Sequence, residues 1–207
     1  MIFAARRRDI IEVMNEVLEG ISKGLSITRI LMYSNVNYLY MKKILLILSN
    51  RGLVKVEKDR EEPRSQYCLT AKGIHLKNLL NSLNSLFVYS NGNASKTSWN
   101  YEYDAEYIVE KSRIVVKELI TKKRRSRIEI YFTILSSVTN KPRTTTSIAN
   151  SCYLNSQQVT KYLKELLELN MIVEIANLNK KKYRITSKGL RFLDTYLKVY
   201  EFISGLD

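Results

Sequence analysis

The sequence predicts a mainly α-helical chain with short β-hairpins, an α+β protein made of two copies of one small domain joined by a partly helical linker. Three observations predict it. The chain aligns with itself at an offset of 118 residues, so that Ile10, Val13, Val17, Ile30, Val36, Met41, Leu45, Leu48 and Val54 fall on Ile128, Tyr131, Leu135, Ile148, Leu154, Val159, Leu163, Leu166 and Ile172. After a loop that differs by two residues, YCLTAKG (Tyr67 to Gly73) falls on YRITSKG (Tyr183 to Gly189). Within each copy, apolar residues recur first at helical spacing and later in short strand-like runs. A unit of about 80 residues is too long for a solenoid repeat and suits a small domain. The expected domains are residues 6–85 and 124–203, with 86–123 as linker.

Each copy opens with an amphipathic helix, Asp9 to about Glu19 and Arg127 to about Val138, marked by apolar residues three and four apart. Gly20–Gly24 and Asn140-Lys-Pro142 read as the break that follows. Ser26 and Thr144 stand where an N-cap belongs and start a short second helix ending near Tyr33 or Cys152. A longer third helix begins close to Asn37 or Asn155. Its inner stripe is Met41, Ile44, Leu45 and Leu48 in one copy, and Val159, Leu163, Leu166 and Leu167 in the other. Gly52 and its counterpart Asn170 occupy the position after that helix, where a left-handed backbone favours Gly or Asn.

Two β-like runs come next, Leu53–Glu57 with Gln66–Leu69 and Met171–Ile175 with Lys182–Ile185, separated by charged hairpin tips. Thr70 and Thr186 close the hairpins, and a last amphipathic helix follows each. In the linker, Ser90–Ser95 reads as a solvated loop. Asp104–Thr121 carries Ala105, Ile108, Val109, Val115, Val116 and Leu119 on one helical side and could run on through Lys122-Lys-Arg-Arg125 into the second copy. Such a stripe needs a partner, either the neighbouring domains or a second chain.

Helix, short helix, turn, longer helix, hairpin, helix is the order of a winged helix-turn-helix, in which the helix pair reads DNA. Through SNVNYLYMKKIL and YLNSQQVTKYL, NRGLV and LNMIV, and LTAKG and ITSKG, the chain resembles the archaeal winged helix-turn-helix regulators. That family also includes small basic chromatin proteins that dimerise through a coiled-coil helix. The resemblance spans about 160 of the 207 residues. It implies a tandem double-stranded DNA-binding protein, a transcription regulator or nucleoid-associated factor.

Composition agrees with that implication. The formal charge is +14 and the pI about 9.7, which favours a polyanionic partner. Residues 6–85 carry 14 Lys/Arg against 8 Asp/Glu, and residues 124–203 carry 14 against 6, so both copies are basic. No run approaches the ~18 apolar residues of a spanning helix, and MIFAARRRD has charge where a signal peptide has its apolar core. A cytoplasmic, nucleoid-associated protein without membrane contact is the expectation. Cys68 and Cys152 sit at non-equivalent places and suggest neither a disulfide nor a metal site. His75 is the single histidine and reads as a surface residue. No phosphate loop or nucleophile motif appears, so neither an enzyme nor a cofactor is expected.

The DNA-reading candidates follow from what a major-groove helix must offer, an apolar inner side and short amide or cationic groups outside. They are Ser156, Gln157, Gln158, Thr160 and Lys161 in the second copy and Asn37, Tyr38, Tyr40 and Lys43 in the first. Phosphate contacts are expected from Arg6, Arg7 and Arg8, from Arg124 and Arg125 in the equivalent basic run of the second copy, and from Lys42, Thr144, Thr145, Lys164, Lys180, Lys181 and Lys182. The second wing, Asn177 to Lys182, reads as a basic tip that could follow phosphates. The first, Glu57 to Pro63, carries four acids against two bases and would be repelled. With Leu39, Leu46 and Ile47, the third helix of copy one is apolar on nearly every side. The alternative reading is therefore a protein-interaction or dimerisation module in which only the second domain, or neither, binds DNA. A homodimer through the linker helix or the first domain belongs to that reading.

Overall fold

The structure is a computed structural model that describes residues 9–58, 65–87, 105–122, 124–177 and 180–204. Arg6, Arg7, Arg8, the loop at Ser90–Ser95 and both wing tips lie outside those residues. The first copy contains α1 (Ile10–Ser22), α2 (Ile27–Ser34), α3 (Tyr38–Asn50), β1 (Val54–Lys58), β2 (Ser65–Leu69) and α4 (Ala71–Ser85). The linker supplies α5 (Ala105–Thr121). The second copy contains α6 (Arg127–Ser137), β3 (Arg143–Thr144), α7 (Thr145–Cys152), α8 (Ser156–Glu168), β4 (Ile172–Asn177), β5 (Lys180–Ile185) and α9 (Ser187–Ser204).

Helix starts are set by short polar side chains that accept otherwise orphaned backbone N–H groups. Asn37 accepts from Tyr40 and Asn155 from Gln158, both at 2.8 Å. Ser26 and Thr144 do the same for α2 and α7. At the far end, the Leu53 N–H reaches the Leu48 carbonyl and the Gly52 N–H that of Ser49. Met171 to Leu166 and Asn170 to Leu167 repeat the pattern. This paired closure needs a left-handed residue, and Gly52 (φ 64°) and Asn170 (φ 55°) provide it.

The motifs after the wings have a shared mechanical cause. Thr70 donates its hydroxyl to the Gly52 carbonyl at 2.6 Å and accepts from the Gly73 N–H at 3.1 Å. Thr186 donates to Asn170 at 2.7 Å and accepts from Gly189 at 3.2 Å. One threonine thus ties the exit of the third helix to the start of the fourth. The approach is close enough that a Cβ on Gly73 would stand 2.0 Å from the Leu53 carbonyl oxygen, and one on Gly189 2.3 Å from that of Met171. Only glycine fits there.

By contacts the chain divides into two compact units, one running to Ser82 and including Val199 onward, the other Leu83–Lys198. In the first, Met14, Val17, Leu18, Ile30, Ile44 and Leu48 are fully buried, each worth about 1.5–3 kcal/mol of transfer from water. Glu19 meets Lys77 at 2.8 Å and Lys23 at 3.2 Å, and these ammonium groups hold its carboxyl below the usual range. The second core is aromatic. Phe132 and Tyr196 lie 4.5 Å apart, and Phe87 packs on Tyr131 and edge-on to Phe192. There α5 buries Ile108, Ser112, Val115 and Leu119 and packs on α6, while Val109 and Val116 of the same stripe are half-buried.

Several sequence expectations change. α1 runs through Gly20 to Ser22 and does not break at the glycine, because Gly20 is a buried contact with Ile30 of α2. α5 stops at Thr121 and does not continue into α6. Ser126 caps α6, and the Glu129 carboxylate accepts from the Ser126 N–H at 2.7 Å and from Lys122 at 2.6 Å, fixing a separate start. The second wing belongs to a three-stranded antiparallel sheet ordered β3-β5-β4, against two strands in the first copy. The extra pairing places Arg143 opposite Tyr183 and Thr144 opposite Lys182. Gly24 aligns with Pro142 and takes φ 66°, a region closed to proline, so the two copies approach the second helix differently.

Candidate nucleic-acid interface

In the second unit, α7 and α8 are joined by a tight turn at Tyr153, whose φ of 52° places a bulky residue in the left-handed region. Its aligned counterpart Asn35 (φ 44°) tolerates that region better. The Tyr153 carbonyl accepts a hydrogen bond from the Arg125 guanidinium at 3.1 Å, which helps hold the turn. Arg125 is therefore half-buried and partly engaged, whereas Arg124 is exposed.

α8 buries Val159, Leu163 and Leu166 and turns Ser156, Gln157, Gln158, Thr160, Lys161 and Lys164 to solvent. These six do not have equal freedom. Gln158 completes a capping box, its side-chain oxygen accepting from the Asn155 N–H at 3.3 Å. Thr160 donates to the Ser156 carbonyl at 2.8 Å. Lys161 lies 5.8 Å from the centre of the Tyr162 ring. Gln157 makes no hydrogen bond among the described residues, so its whole amide faces outward.

A polar clasp fixes α8 against α6. Glu165 accepts from Arg127 Nε at 3.0 Å and from the Tyr131 hydroxyl, and Arg127 Nε also reaches the Tyr131 oxygen at 2.6 Å. Burial, followed by the bond to Glu165, pushes the Tyr131 phenol well above its ordinary value, so it stays a donor. Sequence reasoning missed this clasp, because its members are far apart in the chain.

On the sheet whose strand β4 packs against α8, Lys182 and Arg184 alternate along β5 onto one face, with Thr144 on the neighbouring strand. Lys181 points to the opposite face and pairs with Glu174 at 2.9 Å. Placing Lys180, Lys181 and Lys182 together on a hairpin tip is thus corrected: they are strand residues, because β5 starts at Lys180. Arg184 is exposed and was not anticipated, because its alternation with Lys182 acquires meaning only once the strand is paired. Thr144 spends its hydroxyl on the Ser147 N–H at 3.4 Å, and Thr145 is half-buried beside it.

The corresponding surface in the first unit has another character. Asn37 is committed to its cap, Tyr40 is half-buried, and Tyr38, Lys42 and Lys43 are exposed. Leu39 is 73% and Leu46 60% exposed on the same helix. Lys55 is paired with Glu57, whose carboxylate also accepts from the Cys68 thiol at 3.2 Å, so the start of this wing is charge-compensated. Both cysteine thiols are held above their ordinary range: the hydrogen bond to Glu57, then burial, raises Cys68, and burial raises Cys152 against hydrogen bonds that lower it.

A short helix, a tight turn, an exposed-faced longer helix and a pleated hairpin define the winged helix-turn-helix class of DNA-binding domain. A family model described as winged helix-turn-helix matches residues 7–88 and 124–204, well over half the chain. The chain belongs to that family and contains its domain twice. No curated protein matches the chain. Among the described residues no helix is long and apolar enough to cross a membrane, and no group of three His, Cys, Asp or Glu could hold a metal ion.

Proposed function

We propose that the protein is a sequence-dependent double-stranded DNA-binding factor, a transcription regulator or nucleoid-associated protein of the archaeal type its motifs resemble, with α8 as the principal reading helix. The observation that carries this reading is the outer face of α8. It presents an unengaged amide at Gln157 and cations at Lys161 and Lys164 over a rigid apolar base. Gln157 can pair bidentately with adenine, and Lys161 with guanine. Lys164, Arg124, Lys182 and Arg184 supply phosphate contacts, which set register without carrying base information. The clasp through Glu165 lets α8 keep its orientation as it meets the groove. The net charge of +14 attracts the duplex from a distance.

The test is a fluorescence-anisotropy titration of the full chain with duplex DNA at several salt concentrations, followed by selection from a randomised duplex pool. Binding is expected to weaken steeply with salt, with a log–log slope of about −0.9 for each phosphate neutralised. Selection is expected to enrich a definite sequence. Affinity that is flat with salt, or absent throughout, refutes DNA binding. Salt-dependent binding without enrichment leaves a non-specific nucleoid factor.

A further inference from the structure

We propose that the exposed face of α3 in the first domain is a docking groove for an acidic amphipathic helix of a protein partner. The repeat register locates the difference. Leu39 aligns with Gln157 and Leu46 with Lys164, so two positions that offer polar groups on α8 are leucine on α3. They are seven residues apart, two turns along one face, and both stand largely in solvent. Leu46 also lines a groove of about 270 Å³ together with Ile27, Tyr38, Met41, Lys42 and Leu45, among others, and Leu39 lies one helical turn from its lining residue Lys42. Exposed apolar residues scattered singly mean little, but a pair on one helical face, one of them lining an apolar groove, marks an interaction surface.

Charge selects the occupant. α2 and α3 carry Arg29, Lys42 and Lys43 and no acidic residue. Among the described residues none of these three cations makes an ion pair. A second copy docking through the same face would set lysine against lysine across an apolar patch. Duplex DNA would satisfy the lysines but would set Leu39 and Leu46 against polar base edges and phosphate. A helix with apolar residues at i, i+3 or i+4, and i+7 and with carboxylates on its flanks satisfies both features, in the helix-in-groove mode.

A displayed library of random peptides about four helical turns long, selected on the full chain, tests this. Enriched peptides are expected to show that apolar period and an excess of Asp and Glu. Their affinity is expected to fall roughly tenfold or more with Leu39→Ser/Leu46→Ser, and separately with Lys42→Glu/Lys43→Glu. All four side chains are exposed, so these variants keep the fold, and circular dichroism checks that they do. The leucine variant is expected to bind duplex DNA like the parent. No enrichment, enrichment without acidic residues, or peptides that bind both variants as they bind the parent overturns the proposal. Loss of DNA binding in the leucine variant assigns α3 to DNA instead. A dimer in sedimentation that Leu46→Ser dissolves assigns it to a second copy. If the parent binds no DNA, the proposed function fails while the peptide result stands by itself.

Discussion

α3 and α8 hold the same place in the two domains, have the same length and begin on the same asparagine cap. Three buried positions match, Met41 with Val159, Leu45 with Leu163 and Leu48 with Leu166, while the buried Ile44 of α3 stands where α8 has the half-buried Tyr162. Their outer faces do not. Leu39, Tyr40 and Leu46 stand where α8 has Gln157, Gln158 and Lys164. The inner face answers to the fold, which the two copies share. The outer face answers to whatever docks there, which they need not share. Copy two also adds β3 to its sheet and the Arg127–Tyr131–Glu165 clasp, whereas copy one has Asp9, Val13 and Ile47 at the clasp positions. The asymmetry is thus concentrated around one helix in each domain.

The largest expected effect tests what the copies share. Gly73→Ala and Gly189→Ala each force a Cβ onto a backbone carbonyl, and each is expected to cost about 3 kcal/mol. Urea unfolding followed by circular dichroism measures both. If only one variant is destabilised, the common hinge between third helix, wing and fourth helix is not common. Next comes a change confined to one copy. Glu165→Ala strands a half-buried guanidinium and a buried phenol, at a cost of about 2 kcal/mol. Hydrogen exchange is expected to speed up in α6 and α8 and to stay unchanged in α1 and α3.

The same clasp gives the second domain an alkaline limit. Tyr131 ionises at higher pH when folded than when unfolded, so the folded state holds the extra proton. That stability is fully present below the ordinary tyrosine value of about 10 and is lost as pH rises through the folded value. Tyr131→Phe is expected to remove this part of the decline in a series of alkaline urea melts. A decline identical to the parent's would mean that Tyr131 is not its source.

Gln157→Ala and Gln158→Ala separate reading from capping. The first is expected to relax base preference by about 1–3 kcal/mol at one position, with stability unchanged. The second removes the reciprocal half of the capping box and is expected to lower stability by up to about 1 kcal/mol while leaving the preferred sequence intact. Selection from a randomised duplex pool, beside thermal melts, reads both. Reversed outcomes would exchange the roles of the two amides.

These contrasts also mark what a sequence can disclose. Caps, buried stripes and left-handed exits are local, so Asn37 and Asn155, Gly52 and Asn170, and the threonines after the wings were legible from spacing alone. β3 was not, because two residues carry no period and Arg143 becomes strand only by pairing with Tyr183. The clasp joins residues 127, 131 and 165, and no local pattern links them. Gln158 looked like Gln157 in the sequence. Only the geometry of the Asn155 N–H distinguishes the capping amide from the unengaged one.

The smallest effect tests whether outer-face identity alone makes a reading helix. Leu39→Gln with Leu46→Lys writes the α8 residues onto α3 at aligned positions. Both leucines are mostly exposed, so the core loses little, and the helix keeps its Asn37 cap. One added cation near a duplex releases about one counterion, so the salt dependence is expected to steepen by about 0.9 in log–log slope. Affinity at low salt is expected to rise modestly, because the glutamine adds selectivity only where it meets its base. Anisotropy titrations of random duplex at graded salt, parent beside variant, detect a slope change of that size. An unchanged slope would mean that α3 does not reach phosphate, and that the domains differ in placement on the duplex as well as in side chains. A steeper slope with loss of the helical peptide ligand would tie both properties of the α3 face to the same two residues.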